Sequence, residues 1–477
     1  MLNETVRGVS WVALANVATK LLWAATTVVL LHYLDTGTYG WLATVWATAS
    51  LFASVSDLGT GQAMLRFAST RLEETRALLM KALAIKSACM VPLVACLTAV
   101  LENWGAPETV VPSWLVIFVA VAGQSVDSYQ QLFTYVCQTL RRLDLFAIGR
   151  SLYFLALFLG VALLAGLHLG IFSIVLLQLA ASGLFIALFA HAVVRLLPQS
   201  ATSPTSHRDL LRWGRMFFLC NLLNLAYYRA DVMVLAAVSG EEAAGVYSAQ
   251  YQLILLLYAL SGMMFSVVAP DMYRRRSSRG FLQEMFDRLC RYLNLAAVCA
   301  MPVMLFFSQD IMRVLGGDGY AATHESLRIL ALFALLLPAA VALNILTITD
   351  RLSLRLTCDV LGVAITVVLG WALSREFGVS GMAIAAVTGY LAAGMLGMVL
   401  MGSLEGIRIR TYIRDLTRMS MATLLACPAL FIGLPMWVAV PAYLLGLAFA
   451  LTATGFWDEG DKRVVQAIRH TLRARQA

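Results

Sequence analysis

The stretch VSWVALANVATKLLWAATTVVLL, residues 9–31, decides what kind of chain this is. As a helix rising about 1.5 Å per residue it is about 34 Å long, enough to cross a hydrocarbon core of about 30 Å. It is too long for the apolar region of a signal peptide and lacks a small-residue cleavage site, so it reads as a retained first span. Composition extends the reading to the whole chain. Of 477 residues, 60% are hydrophobic and 13% charged, against about 25% charged in a soluble domain. A single soluble core of this size would have too few polar residues to cover its surface, so most of that surface faces lipid. An ordinary cytoplasmic enzyme, a secreted disulfide scaffold and a disordered chain are excluded. So is a soluble domain on one anchor, because no long polar segment exists to form it.

Fourteen apolar runs follow the same pattern, near 9–31, 40–58, 80–101, 112–136, 148–167, 170–194, 213–236, 245–269, 292–308, 327–348, 353–373, 379–400, 417–434 and 437–455. Pro428, Pro435 and Pro441 break up the last two. The loops alternate in charge. One class holds Arg66, Arg71, Arg76, Lys81, Arg141, Arg142, Arg195, Arg208, Arg212, Arg274, Arg275, Arg276, Arg279, Arg288, Arg351, Arg355, Arg408, Arg410 and Arg414, and the basic tail. The other holds Asp35, Glu102, Glu108, Glu241, Glu242, Asp310 and Asp318 with only Arg313 and Arg375. Lys and Arg collect on the cytoplasmic side, so both termini are expected there. The net charge of +8 is then a topology signal and not a sign of a nucleic-acid partner. Apart from Arg313 and Arg375 outside, and Lys20, Arg229 and Arg328 within or at the edge of spans, every basic residue reads as lying at or towards the cytoplasmic face.

The longest hydrophilic connection contains PQSATSPTSHRD, residues 198–209, and reads as a linker after the sixth span. It divides the chain into a six-helix bundle at 1–197, a linker and second six-helix bundle at 198–400, and a terminal helix pair with a cytoplasmic tail at 401–477. The halves echo each other. YGWLATVWA from Tyr39 follows span one and AGVYSAQYQ from Ala244 follows span seven, so Gly40 matches Gly245, each with acidic residues just upstream. With six spans per half, the repeats keep one topology and are related by an axis along the membrane normal.

Ionisable residues at bilayer depth are expensive and face a cavity or a partner. Asn16 and Lys20, four apart, share a helix face. Lys20 reads either as a cavity cation meeting an anionic substrate or as a structural or snorkelling lysine. In span four, Gln124, Asp127, Gln131 and Thr134 form one polar stripe suited to lining a wet cavity, with Asp127 a candidate for ion coupling or for pairing with Lys20. Span seven carries Asn224, Arg229 and Asp231, which offer cavity contacts, a second coupling acid (Asp231) or an outside gate. Gln250, with Tyr247 three residues before it, is a candidate for a sugar path, while the tyrosines of span eight equally suit an interface belt. Arg66, in SDLGTGQAMLR, stands at the cytoplasmic entrance, where it either attracts phosphates or enforces topology.

Neither a phosphate-binding P-loop nor a HExxH motif is present, the six histidines are dispersed, and the eight cysteines form no CxxC pair. No bound cofactor or metal and no catalytic set is expected. The pattern is that of a secondary transporter.

Four segments carry a family resemblance: the opening helix with Asn16 and Lys20 running into LDTGTYG at 34–40; SDLGTGQAMLRFAS at 56–69; YYRADVMVLAAVSGEEAAGVYSAQYQL at 227–253; and MRVLGGDGYAATHESLRILAL at 312–332. They resemble the polysaccharide biosynthesis and export branch of the superfamily that also holds multidrug extruders and the lipid II flippase. The resemblance implies an all-α polytopic membrane protein with two six-helix bundles in a V and an added C-terminal helix pair. It implies a flippase of the bacterial inner membrane that moves a polyprenyl-pyrophosphate-linked oligosaccharide to the periplasmic leaflet by alternating access. Proton or sodium coupling, membrane lipids, and glycosyltransferases and a polymerase of the same pathway as partners come with it. Because the cavity is expected to form within one chain, the protein is expected to work as a monomer. The alternative is a proton- or sodium-coupled multidrug or metabolite exporter on the same scaffold.

Overall fold

The structure is a computed structural model that describes residues 2–70, 72–103, 107, 110–140, 142–197, 205–321, 323–454 and 456. Among these the regular structure is helical. The first helices in chain order are α1 Leu2–Tyr33, α2 Thr36–Asp57, α3 Thr60–Thr70, α4 Thr75–Glu102, α5 Ser113–Asp127, α6 Gln130–Thr139, α7 Leu143–Gly166 and α8 Ile171–Leu196. After the linker come α9 His207–Ser239, α10 Glu241–Arg274, α11 Arg279–Phe306, α12 Ser308–Gly316, α13 Asp318–Ala321, α14 His324–Ala331 and α15 Phe333–Ile348. The last are α16 Leu352–Glu405, α17 Arg410–Ala426, α18 Pro428–Phe431 and α19 Met436–Ala453.

Large apolar side chains point outward, among them Leu176, Leu184 and Leu188 on α8 and Trp437, Leu445 and Phe449 on α19. In water such a surface would aggregate; in lipid it is solvated. Among the described residues, seven helices are long and apolar enough to cross a membrane, and eight if α14 and α15, bent by 40° at their break, make one span. This is an all-α, polytopic membrane-type fold. Part of the difference from fourteen runs has a visible cause. One expected run, 112–136, is interrupted between α5 and α6 at Ser128–Tyr129. Two others are merged in α16, whose 54 residues are two helices meeting at Gly378, where φ is 53° and ψ −127°. Glycines let these two pack closely: a Cβ on Gly389 would lie 2.2 Å from the Thr366 Oγ1, and one on Gly381 2.3 Å from the Leu373 carbonyl oxygen.

Two compact units emerge. The first comprises residues 1–253, 312–326 and 359–389, the second 254–311, 327–358 and 390–477. In the first, Met64, Leu78, Leu79, Leu132, Val136, Val193 and Leu210 form a fully buried core. The second has two cores. One joins α11 to α15 through Phe286, Leu293, Ile345 and Leu346; the other seats α17 and α19 against α11 through Val298, Met419, Tyr443 and Leu447.

Within the first unit, α2 makes close backbone contacts at both ends. Near its start, a Cβ on Gly40 would fall 1.7 Å from the Glu241 carbonyl oxygen, and one on Gly245 2.8 Å from the Gly40 Cα. The two glycines that echo each other in sequence therefore touch. At its far end, a Cβ on Gly59 would lie 2.1 Å from the Gly214 carbonyl oxygen. Asp35 caps the start of α2, its carboxylate accepting from the Thr38 N–H at 2.9 Å and the Thr38 hydroxyl at 2.6 Å. Partial burial is the largest single effect and acts to raise its pKa, but the hydrogen bonds from Thr38 and from the Asp35 and Gly37 N–H groups together hold the carboxyl below its usual value. A depressed carboxyl stabilises the fold above its unfolded pKa, and that contribution is lost as pH falls through the folded one. Asp35→Ala should remove about 1 kcal/mol of stability at pH 7 and much less at pH 3, read from melting temperatures at the two pH values.

Candidate functional site

Two cavities lie within the first unit and share Gln124 and Asp127. One, of about 330 Å³, is lined by Lys20, Arg150 and Arg229 with Trp23, Tyr153, Phe154 and Gln178. The other, of about 340 Å³, is lined by Ser50, Ser54, Asp57, Lys86, Ser128, Gln131 and Tyr135. The polar stripe of span four thus separates a cationic chamber from one rich in hydroxyl, amide and carboxylate groups.

The cations of this chamber come from three of the five helices that line it. Lys20 projects from α1, Arg150 from α7 and Arg229 from α9. The charges of Arg150 and Arg229 both act on Lys20. Among the described residues, no carboxylate lies within ion-pair distance of any of the three. Arg150 is held by aromatic faces one helical turn to either side, with its guanidinium carbon 5.5 Å from the Phe146 ring centre and 5.6 Å from that of Phe154. Phe154 in turn meets Trp23 edge-on at 5.9 Å. Tyr153 bonds Ser182 at 3.0 Å. The Gln178 Oε1 is buried with no hydrogen-bond partner among the described residues. Three cations gathered around one carboxylate among the described lining residues, Asp127, which none of them approaches to ion-pair distance, are costly in isolation together with an unused acceptor. They suit a wet chamber that receives an anion carrying hydroxyl groups.

The second chamber forms where α5 breaks. At Ser128–Tyr129 the backbone tightens into i→i−3 bonds: Tyr129 N–H donates to Val126 at 3.0 Å, Gln131 N–H to Ser128 at 3.3 Å and Leu132 N–H to Tyr129 at 3.0 Å. The Lys86 ammonium donates to the Ser128 carbonyl at 3.0 Å and lies 4.0 Å from Asp57. The Asp127 carboxylate accepts from the Gln130 amide.

The sequence candidates are distributed accordingly. Lys20, Gln124, Asp127 and Arg229 come together in the cationic chamber, and Gln131 joins Gln124 and Asp127 in the second. Gln250 lines neither. It is fully buried, donating to the Thr323 carbonyl at 2.9 Å and accepting from the Ser326 hydroxyl at 2.7 Å. Asp231 is 1% exposed and accepts from the Tyr247 hydroxyl at 2.7 Å and the Val232 N–H at 2.8 Å. Arg66 is exposed, its guanidinium 3.9 Å from the centre of the Trp213 ring. The side chains of Asn16 and Asn224 lie outside the described residues.

Lys86 and Arg150 are the additions. By their place in the sequence both belong with the cytoplasmic topology charges; the structure puts both against chambers. Each had a signal. Lys86 lies several residues inside the apolar run 80–101, and Arg150 stands between Phe146 and Phe154 at four-residue spacing.

Comparisons with known proteins fit this arrangement. The chain is similar to the lipid II flippase MurJ in an inward closed conformation, at 12% identity over 93% of this chain and 98% of that one, with a TM-score of 0.74. It is similar to a multidrug resistance transporter of the MATE family in an inward-facing conformation, at 14% identity over 84% of this chain and 99% of that one, with a TM-score of 0.64. An outward-facing conformation of a MATE transporter aligns at 13% identity over 85% of this chain and 96% of that one, with a TM-score of 0.62. At these identities the likeness is one of fold. A search of curated proteins by sequence gives no match. A sequence profile described as polysaccharide biosynthesis protein matches residues 5–274, more than half of the chain and the whole of both chambers. The chain belongs to the polysaccharide biosynthesis protein family.

Proposed function

We propose that this protein is a flippase that carries a polyprenyl-pyrophosphate-linked oligosaccharide from the cytoplasmic to the periplasmic leaflet of a bacterial inner membrane by alternating access. The observation that carries this reading is the cationic chamber. Lys20, Arg150 and Arg229 outnumber the one carboxylate among the described lining residues, Asp127, and none of the three lies within ion-pair distance of a carboxylate among the described residues, an excess of positive charge that favours a doubly anionic group such as pyrophosphate. A sugar chain cannot cross hydrocarbon unaided, because its hydroxyls would lose their hydrogen bonds. The adjoining chamber offers replacements from Ser50, Ser54, Gln124 and Gln131. The fold likeness to the lipid II flippase supports the same reading. A cationic drug would meet three like charges, which disfavours the multidrug alternative.

In this reading the chain crosses the membrane fourteen times with both termini cytoplasmic, as two six-helix bundles at 1–197 and 198–400 and a terminal pair at 401–477. The helices divide in a way that suits the count, taking α2 with α3, α5 with α6, α14 with α15, and α17 with α18 as single crossings and α16 as two. Asp127, which faces both chambers, is the proposed coupling acid; the hydrogen bonds held by Asp231 suit a supporting role. Glycosyltransferases and a polymerase would supply and consume the cargo. Deletion of the gene should leave lipid-linked oligosaccharide accumulating on the cytoplasmic leaflet, measured by its protection from an impermeant glycan-modifying reagent in intact spheroplasts. A normal distribution between leaflets, in a strain with no second exporter, would refute the proposal.

A further inference from the structure

We infer that the Lys86 ammonium fills a monovalent-cation site formed by Asp57 and the Ser128 carbonyl, with the Asp127 charge nearby, so that this cluster carries its own tethered cation in place of a bound sodium ion. The inference goes beyond the flippase reading and stands whatever the cargo is.

The surroundings have the chemistry of a metal-cation site. Where a helix breaks at bilayer depth, freed carbonyls and the negative end of the half-helix coordinate small cations. At the Ser128–Tyr129 break α5 ends at Asp127, and the carbonyl of its capping residue Ser128, which accepts a 3.3 Å bond from the Gln131 N–H, also accepts from a neighbouring helix. The Asp57 carboxylate, from the end of α2, adds a hard oxygen donor, and Asp127, from the end of α5, lines the same chamber beyond ion-pair distance of the ammonium. What sits among them is not an empty space but the Lys86 Nζ, 3.0 Å from the Ser128 oxygen and 4.0 Å from the Asp57 carboxylate.

Lys86 is committed to this place. Its side chain is 2% exposed, and the ring of Tyr129 covers the ammonium with its centre 5.1 Å away. Tyr129 is itself tied to Ser87 on the same helix as Lys86 through a hydroxyl contact of 2.9 Å. The charges of both Asp57 and Asp127 act on Lys86. The Asp57 Oδ1 is buried and makes no hydrogen bond among the described residues, so its interaction with Lys86 is electrostatic, as with a metal ion held at slightly long range. A lysine stem of this kind cannot leave the site, whereas sodium exchanges with solvent. Removing the ammonium leaves the Asp57 carboxylate and the Ser128 carbonyl beside a vacated position in a chamber of about 340 Å³ that Asp127 also lines. Sodium is the abundant cation that such oxygen donors accept.

The test uses the full chain purified in detergent, with sodium itself as the probe. Melting temperatures of wild type, Lys86→Ala, Lys86→Gln and the double variant Lys86→Ala with Asp57→Asn are compared in sodium chloride and in choline chloride at equal ionic strength. Wild type should show no sodium-specific shift. Lys86→Ala and Lys86→Gln should gain roughly 3 °C in sodium, saturating with concentration, if sodium binds at about a tenth of the concentration used. The double variant should lose that gain. Sodium-specific stabilisation of the wild type that Asp57→Asn abolishes would overturn the inference, because the site would already be open to sodium. Equal melting of the Lys86 variants in the two salts would overturn it as well. So would a Lys86 variant that fails to accumulate even when prepared in sodium and is recovered only by Asp57→Asn, since sodium would then have failed to replace the ammonium.

Discussion

Replacing Arg150 with alanine is expected to cut flipping by about 10- to 100-fold while leaving the amount of protein in the membrane unchanged. A hydrogen bond to a charged group contributes about 1.5–3 kcal/mol, which sets that range. Arg150 is the member of the cationic chamber best placed to act as a fork. Its guanidinium is clamped between Phe146 and Phe154, so little side-chain freedom remains to be lost when an anion arrives. Arg150→Lys keeps the charge and loses the paired donors and the stacking, and should fall between wild type and alanine. The measurement is outer-leaflet lipid-linked oligosaccharide per unit of immunodetected protein in a deletion strain carrying each variant. Full activity of Arg150→Ala would remove the residue from the binding role.

Gly40→Val is expected to abolish transport, with a loss of at least about tenfold, because the side chain has no space to occupy. A Cβ there would fall 1.7 Å from the Glu241 carbonyl oxygen and 2.9 Å from the Gly245 N–H nitrogen. Both are backbone atoms at the start of a helix, which cannot yield as a flexible side chain would. In the proposed orientation this contact closes the periplasmic end, and Gly59 against Gly214 closes the cytoplasmic one. An alternating-access carrier must open one while the other holds. Valine at position 40 would hold the first apart. The Thr36 hydroxyl lies 3.3 Å from the Glu242 carboxylate across this contact. With the native cysteines replaced by serine, a Thr36→Cys and Glu242→Cys pair should therefore form a disulfide on oxidation, and Gly40→Val should prevent it. Gly183→Ala is the control, since nothing lies within 4 Å of a Cβ at that position. Cross-linking that survives in Gly40→Val would contradict this account of the contact.

The membrane class was fully legible in the sequence, because hydropathy over some twenty residues reports directly on the solvent that the helix must face. So was the stripe of span four: Gln124, Asp127 and Gln131 share a face by helical spacing alone, and that face lines chambers. Lys20 was legible for the same reason, as a charge deep in an apolar run. Lys86 and Arg150 were hidden by the rule that explains the other basic residues. A charge near the cytoplasmic end of a span satisfies the topology bias whether it points to water, lipid or a cavity, and only packing tells these apart. Gln250 shows the converse. An amide in a transmembrane helix suggests a cavity, but it can be satisfied by another segment of the chain, here Thr323 and Ser326 some seventy residues away. The Gly40–Gly245 contact was half legible. The echo between the halves marked the pair; their touching depends on the close approach of two helices, which sequence spacing does not report.

The central claim is that Lys20, Arg150 and Arg229 receive the pyrophosphate of a lipid-linked glycan. It is tested most directly by reconstituting the purified protein into liposomes that contain a polyprenyl-pyrophosphate-linked oligosaccharide and following access of an impermeant glycosidase to the inner-leaflet pool. Wild type should expose that pool, the Arg150→Ala variant should do so about 10- to 100-fold more slowly, and a polyprenol-linked glycan lacking the pyrophosphate should not be moved. Movement of both lipids at equal rates, or an inner-leaflet pool that stays protected with wild-type protein, would contradict it.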